Sequence, residues 1–178
     1  MNKLLIIVDL QNDFVTGPLG TPEAQAVIPN IVQKIQSWDG DILATKDIHG
    51  EDYLNTKEGK NLPVPHCIVG TEGRNIHLDI RAAISENSSY KGAINKITFG
   101  STVLPERIRS TSNEAYDEIH LCGVCTGICV LSNAIILKTF FPETDIIVDA
   151  SCCACVTPES HKIALEAMKL CQIKVENE

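Results

Sequence analysis

The chain has 178 residues, which suits about one domain and is enough to bury a core without disulfides or metal ions. Its formal net charge of −8 and the lack of any basic run argue against nucleic acid as a partner. No apolar run approaches the roughly 20 residues needed to span a bilayer, and Leu4–Val8 is too short for a signal peptide. We therefore expect a cytoplasmic protein of a single domain, residues 1–178, that has no membrane partner and keeps its eight cysteines reduced.

Short runs rich in leucine and β-branched residues recur along the chain, and most are followed by a segment with helical spacing. Continuous apolar character in the first run is typical of a strand buried on both faces of a parallel sheet. The predicted strands are Leu4–Val8, Asp41–Thr45, Gly92–Lys96, Glu118–Cys122, Asp145–Val148 and Ile173–Val175. This alternation predicts the α/β class, as a three-layer αβα fold with a doubly wound, six-stranded, mainly parallel sheet.

The segments between the strands carry apolar residues at helical spacing. Pro29 is expected to break or bend the first helix, and Thr157 is expected to cap the last one. The polar segment 46–71 interrupts the alternation, and a loop of this length in a compact domain tends to be functional. The predicted helices are 22–38, 76–84, 103–108, 128–140 and 158–170.

Reactive side chains lie at the ends of the first four predicted strands. Asp9 follows the first strand, Asp47 and His49 follow the second, and Lys96 ends the third. A cysteine-rich segment follows the fourth. Because open α/β sheets bind ligands beyond the carboxyl ends of their strands, these groups are predicted to share one site.

The cysteine-rich segment reads "HLCGVCTGICVLSNAII" and contains Cys122, Cys125 and Cys129. Cys129 is predicted to lie where a helix begins, and the helix dipole there is expected to lower the pKa of its thiol. Backbone N–H groups in the same turn can stabilise an oxyanion. Asp9 and Lys96 can supply the proton acceptor and the cation that a thiol nucleophile needs.

Two other roles for these cysteines remain open. Free cysteines are commonly packed in a core, and this is the favoured interpretation for Cys122. Zinc or an iron–sulfur cluster would need ligands from two groups, but the second group lacks a clean C-x-x-C pair. The cysteines in question are Cys122, Cys125, Cys152, Cys153 and Cys155.

A different metal site is suggested by the long loop. Asp47 and His49 lie two residues apart, so an extended segment places both on one side. Glu58 and His66 follow in the same loop. Two carboxylates and two imidazoles suit one borderline divalent ion, with zinc favoured and manganese or iron as alternatives. The competing interpretation is a solvated loop.

Four segments in order resemble the motifs of the isochorismatase-like cysteine hydrolases, and of their nicotinamidase branch in particular. They are "LLIIVDLQNDF", then "TKDIH" with "LPVPHCIVGTEG", then "INKITFGS" and "CGVCTGICVLSNAI". The matches run from Leu4 to about Ala134, and the remaining strand and helix also fit that fold. The resemblance therefore covers nearly the whole chain.

Carried onto this sequence, the resemblance implies a catalytic triad of Asp9, Lys96 and Cys129, and a cis peptide between Val124 and Cys125 that directs N–H groups at the oxyanion. It also implies aromatic residues beside a ring substrate and a metal site with four ligands. These residues are Phe14 and Phe99 for the substrate, and Asp47, His49, Glu58 and His66 for the metal.

The activity implied is hydrolysis of a small amide, nicotinamide, through a thioester, by a chain that self-associates as a homo-oligomer. Leu62, Pro63 and Val64 stand where nicotinamidases usually have a large aromatic residue. A related hydrolase of another small amide or an N-carbamoyl compound is therefore an alternative. A non-enzymatic cysteine-rich metal or redox protein is a third hypothesis.

Overall fold

The computed structural model describes all 178 residues and contains one six-stranded sheet. All six predicted strands are present. They are β1 Lys3–Val8, β2 Asp41–Asp47, β3 Tyr90–Lys96, β4 Glu118–Val124, β5 Asp145–Ala154 and β6 Lys174–Glu176. Their order in the sheet is β3-β2-β1-β4-β5-β6, and every neighbouring pair is parallel. The predicted doubly wound α/β fold is confirmed, and the sheet is wholly rather than mainly parallel.

Eight α-helices lie between the strands along the chain. They are α1 Asn12–Val15, α2 Pro22–Ala26, α3 Ile28–Ser37, α4 Lys57–Asn61, α5 Leu78–Glu86, α6 Leu104–Arg109, α7 Leu131–Phe140 and α8 Pro158–Leu170. The predicted break in the first long helix falls at Val27, and Pro29 then lies in the first turn of α3. Proline is tolerated there because no N–H is needed in a first turn. Thr157 caps α8 as predicted, since its side chain accepts a hydrogen bond from the Ser160 N–H.

The sheet has a hydrophobic core on each face. Leu4, Ile6 and Val8 of β1 belong to one core, and Leu5 and Ile7 belong to the other. This is the two-residue period of a strand that is buried on both faces. Helices α6, α7 and α8 cover the first core, whereas α2, α3 and α5 cover the second. The result is the predicted three-layer arrangement.

Strands β2, β4 and β5 extend two or more residues past their predicted C-terminal ends, to Asp47, Val124 and Ala154. In β5 the extension includes Asp149, which is 3% exposed and accepts a hydrogen bond of 2.6 Å from Lys34 of α3. A buried carboxylate is tolerated when it is paired with a cation in this way. No helix of the structure is long and apolar enough to cross a bilayer.

Candidate active site

Asp9 lies immediately after β1, where the strand leaves the sheet. Its backbone has a positive φ of 51°, and its side chain is fully buried. The Thr45 hydroxyl in β2 donates a hydrogen bond of 2.7 Å to Asp9 Oδ1, and the Asp9 N–H donates to the Thr45 carbonyl. Two contacts to the neighbouring strand therefore fix the carboxylate at the rim of the sheet.

Lys96 ends β3 and extends past the end of β2 to reach this carboxylate. Its Nζ lies 2.5 Å from Asp9 Oδ2 and 3.6 Å from Cys129 Sγ. It also lies 3.4 Å from Asp47 Oδ1, a contact that the sequence analysis did not anticipate. The register pairs Asp47 with Lys96 across β2 and β3. One buried ammonium group thus contacts both other members of the predicted triad and one of the predicted metal ligands, Asp47.

Cys129 lies in a single π-helical turn, Thr126–Val130, between β4 and α7. Such turns are rare and occur frequently at functional sites. At the entrance to this turn Gly123 has φ of +125°, and a Cβ there would collide with the Val8 carbonyl. The peptide bond between Val124 and Cys125 is cis. The sequence pattern predicts an ordinary helix start here, because apolar spacing does not distinguish a π turn from an α-helix.

The electrostatics at Cys129 differ from the expectation for a helix N-terminus. Burial raises the pKa of the Cys129 thiol well above its usual value, and the charge of Asp9 adds to this effect, although Lys96 opposes it. The predicted lowering of this pKa by the helix dipole is therefore wrong. Burial likewise raises the pKa of Asp9, again against the opposing charge of Lys96. The sulfur rests as a thiol beside a carboxylate whose proton affinity is also increased.

Lys96 itself remains charged. Burial alone would lower the pKa of its ammonium group, but Asp9, Cys129 and Asp47 together raise it above the usual value. The carboxylates of Asp9 and Asp47 carry the opposite charge, which favours the ionised form of Lys96. The site therefore contains a permanent cation beside a thiol and a proton acceptor, and this cation can stabilise a thiolate when one forms.

The four predicted metal ligands also come together. The ligating atoms of Asp47, His49, Glu58 and His66 all lie within 4.8 Å of one another. His49 Nε2 is 2.8 Å from Asp47 Oδ2, and His66 Nε2 is 3.4 Å from the same oxygen. The Val64 carbonyl lies 2.8 Å from His66 Nδ1, which leaves Nε2 directed at the cluster. This second-sphere bond is typical of a ligating histidine.

The residues present fit a divalent cation on grounds of charge as well as donor type. Asp9, Asp47 and Glu58 bring three carboxylates to the region, whereas Lys96 is the one ammonium group among them. Asp47 is 5% exposed and His66 is 2% exposed. A bound divalent ion would balance this negative charge, and two carboxylates with two imidazoles suit zinc or a similar metal.

Sequence reasoning missed Tyr53, which supports the two histidines. Its ring is 1% exposed and lies 4.7 Å from the His49 ring and 4.9 Å from the His66 ring, with both contacts edge-to-face. The Tyr53 hydroxyl donates a hydrogen bond of 2.9 Å to the Leu62 carbonyl. A single tyrosine within a polar loop is the only signal in the sequence.

Gln11 was also missed, although it lies within the first motif. Its amide accepts a hydrogen bond from the Asp47 N–H at 2.6 Å and donates to the Asp47 carbonyl at 2.8 Å. It donates a further bond of 2.9 Å to the Arg74 carbonyl. Nearby, Asp13 accepts a bond of 2.7 Å from the Cys67 N–H, next to His66. The two side chains fix the backbone that carries two of the metal ligands.

Replacing Gln11 by alanine is expected to lower the free energy of unfolding by about 3 kcal/mol, because each buried backbone group left unpaired costs about 1–3 kcal/mol. The measurement is chemical denaturation of the variant and the parent. Gln25→Ala, on an exposed face of α2, is the matched control and is expected to leave stability nearly unchanged. Equal stability of the two variants would contradict this role of Gln11.

A cavity of about 410 Å³ joins the two groups of residues. Cys129 lies on its wall together with three of the metal-ligand residues, Asp47, Glu58 and His66. Phe14 and Phe99, the two predicted substrate-binding aromatics, also line it. The remaining wall is mostly apolar and includes Leu62, Cys125, Ile128, Cys155 and Val156. A cavity of this kind, apolar with a few convergent polar groups, is typical of a site for a small molecule.

Comparisons with known proteins identify the family of this chain. Residues 3–177 match the model of the isochorismatase domain. The nicotinamidase/pyrazinamidase of Mycobacterium tuberculosis is 27% identical over 183 residues, covering 97% of both chains. An uncharacterized isochorismatase family protein of Bacillus subtilis, PncA, is 30% identical over 177 residues, covering 93% of both chains.

Comparison with solved structures also identifies nicotinamidases and pyrazinamidases as similar proteins. The pyrazinamidase of Pyrococcus horikoshii, crystallised in complex with zinc, superimposes with a TM-score of 0.83 at 26% identity and covers 100% of both chains. A nicotinamidase/pyrazinamidase structure from Bacillus subtilis superimposes with a TM-score of 0.85 at 26% identity, covering 99% of this chain and 100% of that one.

Proposed function

Because this chain belongs to the isochorismatase family, we propose that it is a metal-containing cysteine amidohydrolase that converts nicotinamide and water into nicotinic acid and ammonia. The observation that carries this proposal is the position of Lys96 Nζ, 2.5 Å from Asp9 Oδ2 and 3.6 Å from Cys129 Sγ. The wall of the adjoining cavity includes both Cys129 and residues of the metal-ligand cluster.

In the proposed reaction, Asp9 accepts the thiol proton of Cys129 while the sulfur attacks the carboxamide carbon. This transfer is supported by the raised proton affinity of Asp9, and Lys96 stabilises the thiolate as it forms. The N–H groups of Cys125 and Cys129 stabilise the oxyanion. Asp9 then gives its proton to the departing ammonia, which leaves a thioester on Cys129.

The second half of the reaction uses the same groups. Asp9, again a carboxylate, removes a proton from a water molecule that attacks the thioester carbon. Nicotinic acid is released, and the proton returns from Asp9 to the Cys129 sulfur. Phe14 and Phe99, which both line the cavity, pack against the aromatic ring of the substrate.

We assign the metal site to Asp47, His49, Glu58 and His66, whose donor types favour zinc. When bound, a divalent ion would coordinate the pyridine nitrogen and so fix the orientation of the ring. Support for zinc comes from the relative crystallised with zinc, which is 26% identical to this chain. The homo-oligomeric state and the cytoplasmic location stay predictions.

The direct test of the proposed function is a panel of small amides assayed for ammonia release. The panel contains nicotinamide, a benzamide that lacks the ring nitrogen, and N-carbamoyl amino acids. We expect nicotinamide to be hydrolysed with the highest kcat/KM. Benzamide is expected to be much poorer because it lacks the nitrogen that the metal would hold. Ammonia release from the other amides of the panel, with none from nicotinamide, would contradict the proposal.

One observation favours a second candidate. Leu62, which is 37% exposed, forms part of the cavity wall where the nicotinamidase branch usually has a large aromatic residue, so the wall is aliphatic at this position. A substrate without an aromatic ring, such as an N-carbamoyl compound, would lose less contact at this wall. The same panel separates the candidates, because an N-carbamoyl substrate would then exceed nicotinamide in kcat/KM.

Replacing His66 by alanine is expected to lower the bound divalent metal to well below one equivalent per chain, since the remaining three ligands would bind it less tightly. Metal content is measured by elemental analysis of the purified protein, and nicotinamide hydrolysis is measured in parallel. His77→Ala, outside the four-residue cluster, is the control and is expected to retain the metal of the parent. Full metal content in His66→Ala would exclude this assignment.

A further inference from the structure

Two cysteines lie next to each other at the cavity wall. The proposed reaction does not use the side chain of either one. Strands β4 and β5 pair in the register Gly123 with Cys153 and Val124 with Ala154. Cys125 and Cys155 follow directly after these pairs, one residue past the ends of β4 and β5. Both are free thiols, and both line the cavity that contains Cys129.

Cys155 is nearly buried, since the residue is only 4% exposed. The groups that would stabilise its thiolate are the Ser160 hydroxyl, the Gly127 and Val156 N–H groups and the Cys125 thiol. A Cβ at Gly127 would lie 3.4 Å from Cys155 Sγ, in ordinary van der Waals contact, so this sulfur lies close to the turn that contains Cys129.

The two thiols differ in character as a result. Burial by itself raises the pKa of Cys155, but the donors around it lower the pKa below the usual value. Burial raises the pKa of Cys125 to about 12, and the neighbouring Cys155 contributes to this increase. In thiol–disulfide exchange the thiolate attacks, so Cys155 is suited to attack and Cys125 to act second.

We propose that Cys155 and Cys125 form a redox pair in the wall of the cavity, and that low-molecular-weight disulfides oxidise this pair to an intramolecular disulfide. The Cys155 thiolate attacks one sulfur of the reagent, forms a mixed disulfide and expels the first thiolate. Cys125 then attacks the Cys155 sulfur, gives up its proton and expels the second thiolate. The reagent disulfide gains two electrons and ends as two thiols, while the protein loses two hydrogen atoms.

The cross-link would change the cavity in two ways. It would convert two separate thiols of the wall into one disulfide, and it would join the turn that precedes Cys129 to the end of β5. The effect on catalysis rests on the proposed function, because the Cys125 N–H belongs to the proposed oxyanion site. Oxidation is therefore expected to reduce nicotinamide hydrolysis, and a reductant is expected to restore it.

Peptide mapping of the full chain tests the chemistry independently of activity. The Cys129→Ser variant is treated with oxidised glutathione so that the nucleophile cannot take part, and its peptides are then analysed by mass spectrometry. We expect a linked peptide pair that contains Cys125 and Cys155, the loss of two hydrogen atoms, and reversal by dithiothreitol. A cross-link between other cysteines, or glutathione on the exposed Cys171 alone, would overturn the proposal.

Two further variants in the same background fix the order of the steps. Cys125→Ser is expected to accumulate glutathione on Cys155, because the second thiol is missing. Cys155→Ser is expected to leave Cys125 unmodified. Cys171→Ser is the matched control and is expected to form the same cross-link as its parent. If Cys125→Ser or Cys155→Ser fails to fold, the order of the steps is tested instead by the relative rates at which iodoacetamide labels the two cysteines in the unmodified chain. Cys155 is expected to react faster than Cys125, and the reverse order would overturn the assignment.

Activity provides the last measurement. The oxidised chain is expected to lose most of its nicotinamide hydrolysis, whereas Cys155→Ser is expected to keep its activity after the same treatment, relative to its own reduced form. Equal losses in the two proteins would contradict the regulatory effect. If the reduced chain does not hydrolyse nicotinamide, the proposed function fails, and the peptide map still decides the redox pair.

Discussion

Replacing Cys129 by alanine is expected to reduce nicotinamide hydrolysis by at least about a thousandfold, because the thiol that forms the thioester beside Lys96 is lost. Cys129 is the only cysteine whose sulfur accepts a hydrogen bond from Lys96 Nζ, at 3.6 Å. The measurement is steady-state release of ammonia and of nicotinic acid by purified protein. Full retained activity would end the proposal.

The control for this variant is Cys171→Ala. Cys171 is exposed and follows α8, and it is absent from the residues that line the cavity. It is expected to retain the activity of the parent. Thermal unfolding of both variants excludes misfolding as the cause of a loss, since deletion of one sulfur at position 129 leaves the charged pair of Asp9 and Lys96 in place.

Replacing Lys96 by methionine is expected to lower kcat for nicotinamide by about 10²–10³, the range found when one electrostatic stabiliser of the reacting charge is removed. The buried Asp9 would lose its counter-ion, and removal of one partner of a buried pair costs about 3–5 kcal/mol of stability. Steady-state kinetics and chemical denaturation measure the two effects. A variant with the kcat of the parent would show that Lys96 has no part in the reaction.

The pH dependence of this variant provides a sharper readout. Burial already raises the pKa of Asp9, and Lys96 is the main group that opposes this increase. Without Lys96 the pKa of Asp9 rises further. Because Asp9 must be ionised to accept the thiol proton, the acid limb of kcat/KM is expected to move to higher pH. An acid limb at unchanged pH would contradict the coupling.

Lys169→Met is the matched control for Lys96→Met. Lys169 pairs with Glu166 at 2.8 Å and with Glu178 at 2.7 Å, but all three side chains are well exposed to solvent. Exposed pairs contribute about 0–1 kcal/mol. The control is therefore expected to leave stability, kcat and the acid limb nearly unchanged, which isolates burial as the reason for the effects at Lys96.

The sheet was predictable from the sequence because its strands are short apolar runs with polar ends. Leu4–Val8 was predicted within one residue of the observed Lys3–Val8. The strand β5 was predicted too short because its second half contains Asp149 and Ser151, which are polar yet paired within the fold. Hydrophobic patterning detects apolar burial, and it does not detect a buried carboxylate whose partner, Lys34, is distant in the chain.

The candidate site was predictable to the same extent, and for a related reason. Asp9 follows β1, and Asp47 and Lys96 end β2 and β3 at the same edge of the sheet, so their proximity follows from the topology. The contact between Lys96 and Asp47 was not predicted, because it depends on the strand register and on the length of one side chain. Gln11 and Tyr53 were missed because neither is a reactive residue type, and their roles appear only in three-dimensional contacts.

The predicted direction of the Cys129 pKa shift was wrong, and the reason is physical. A helix start lowers the pKa of an exposed thiol, but this sulfur is in a residue that is 7% exposed and it faces the carboxylate of Asp9. Desolvation and a neighbouring negative charge both favour the neutral thiol. The sequence places the thiol near a helix, whereas burial is a property of the completed fold.

Interception of the acyl-enzyme is the measurement that tests the central claim most directly. Hydroxylamine is added during turnover of nicotinamide, where it competes with water for the thioester on Cys129. The account predicts nicotinohydroxamic acid in amounts that rise with hydroxylamine concentration, and none from Cys129→Ala. Steady ammonia release that yields only nicotinic acid at every hydroxylamine concentration would contradict it.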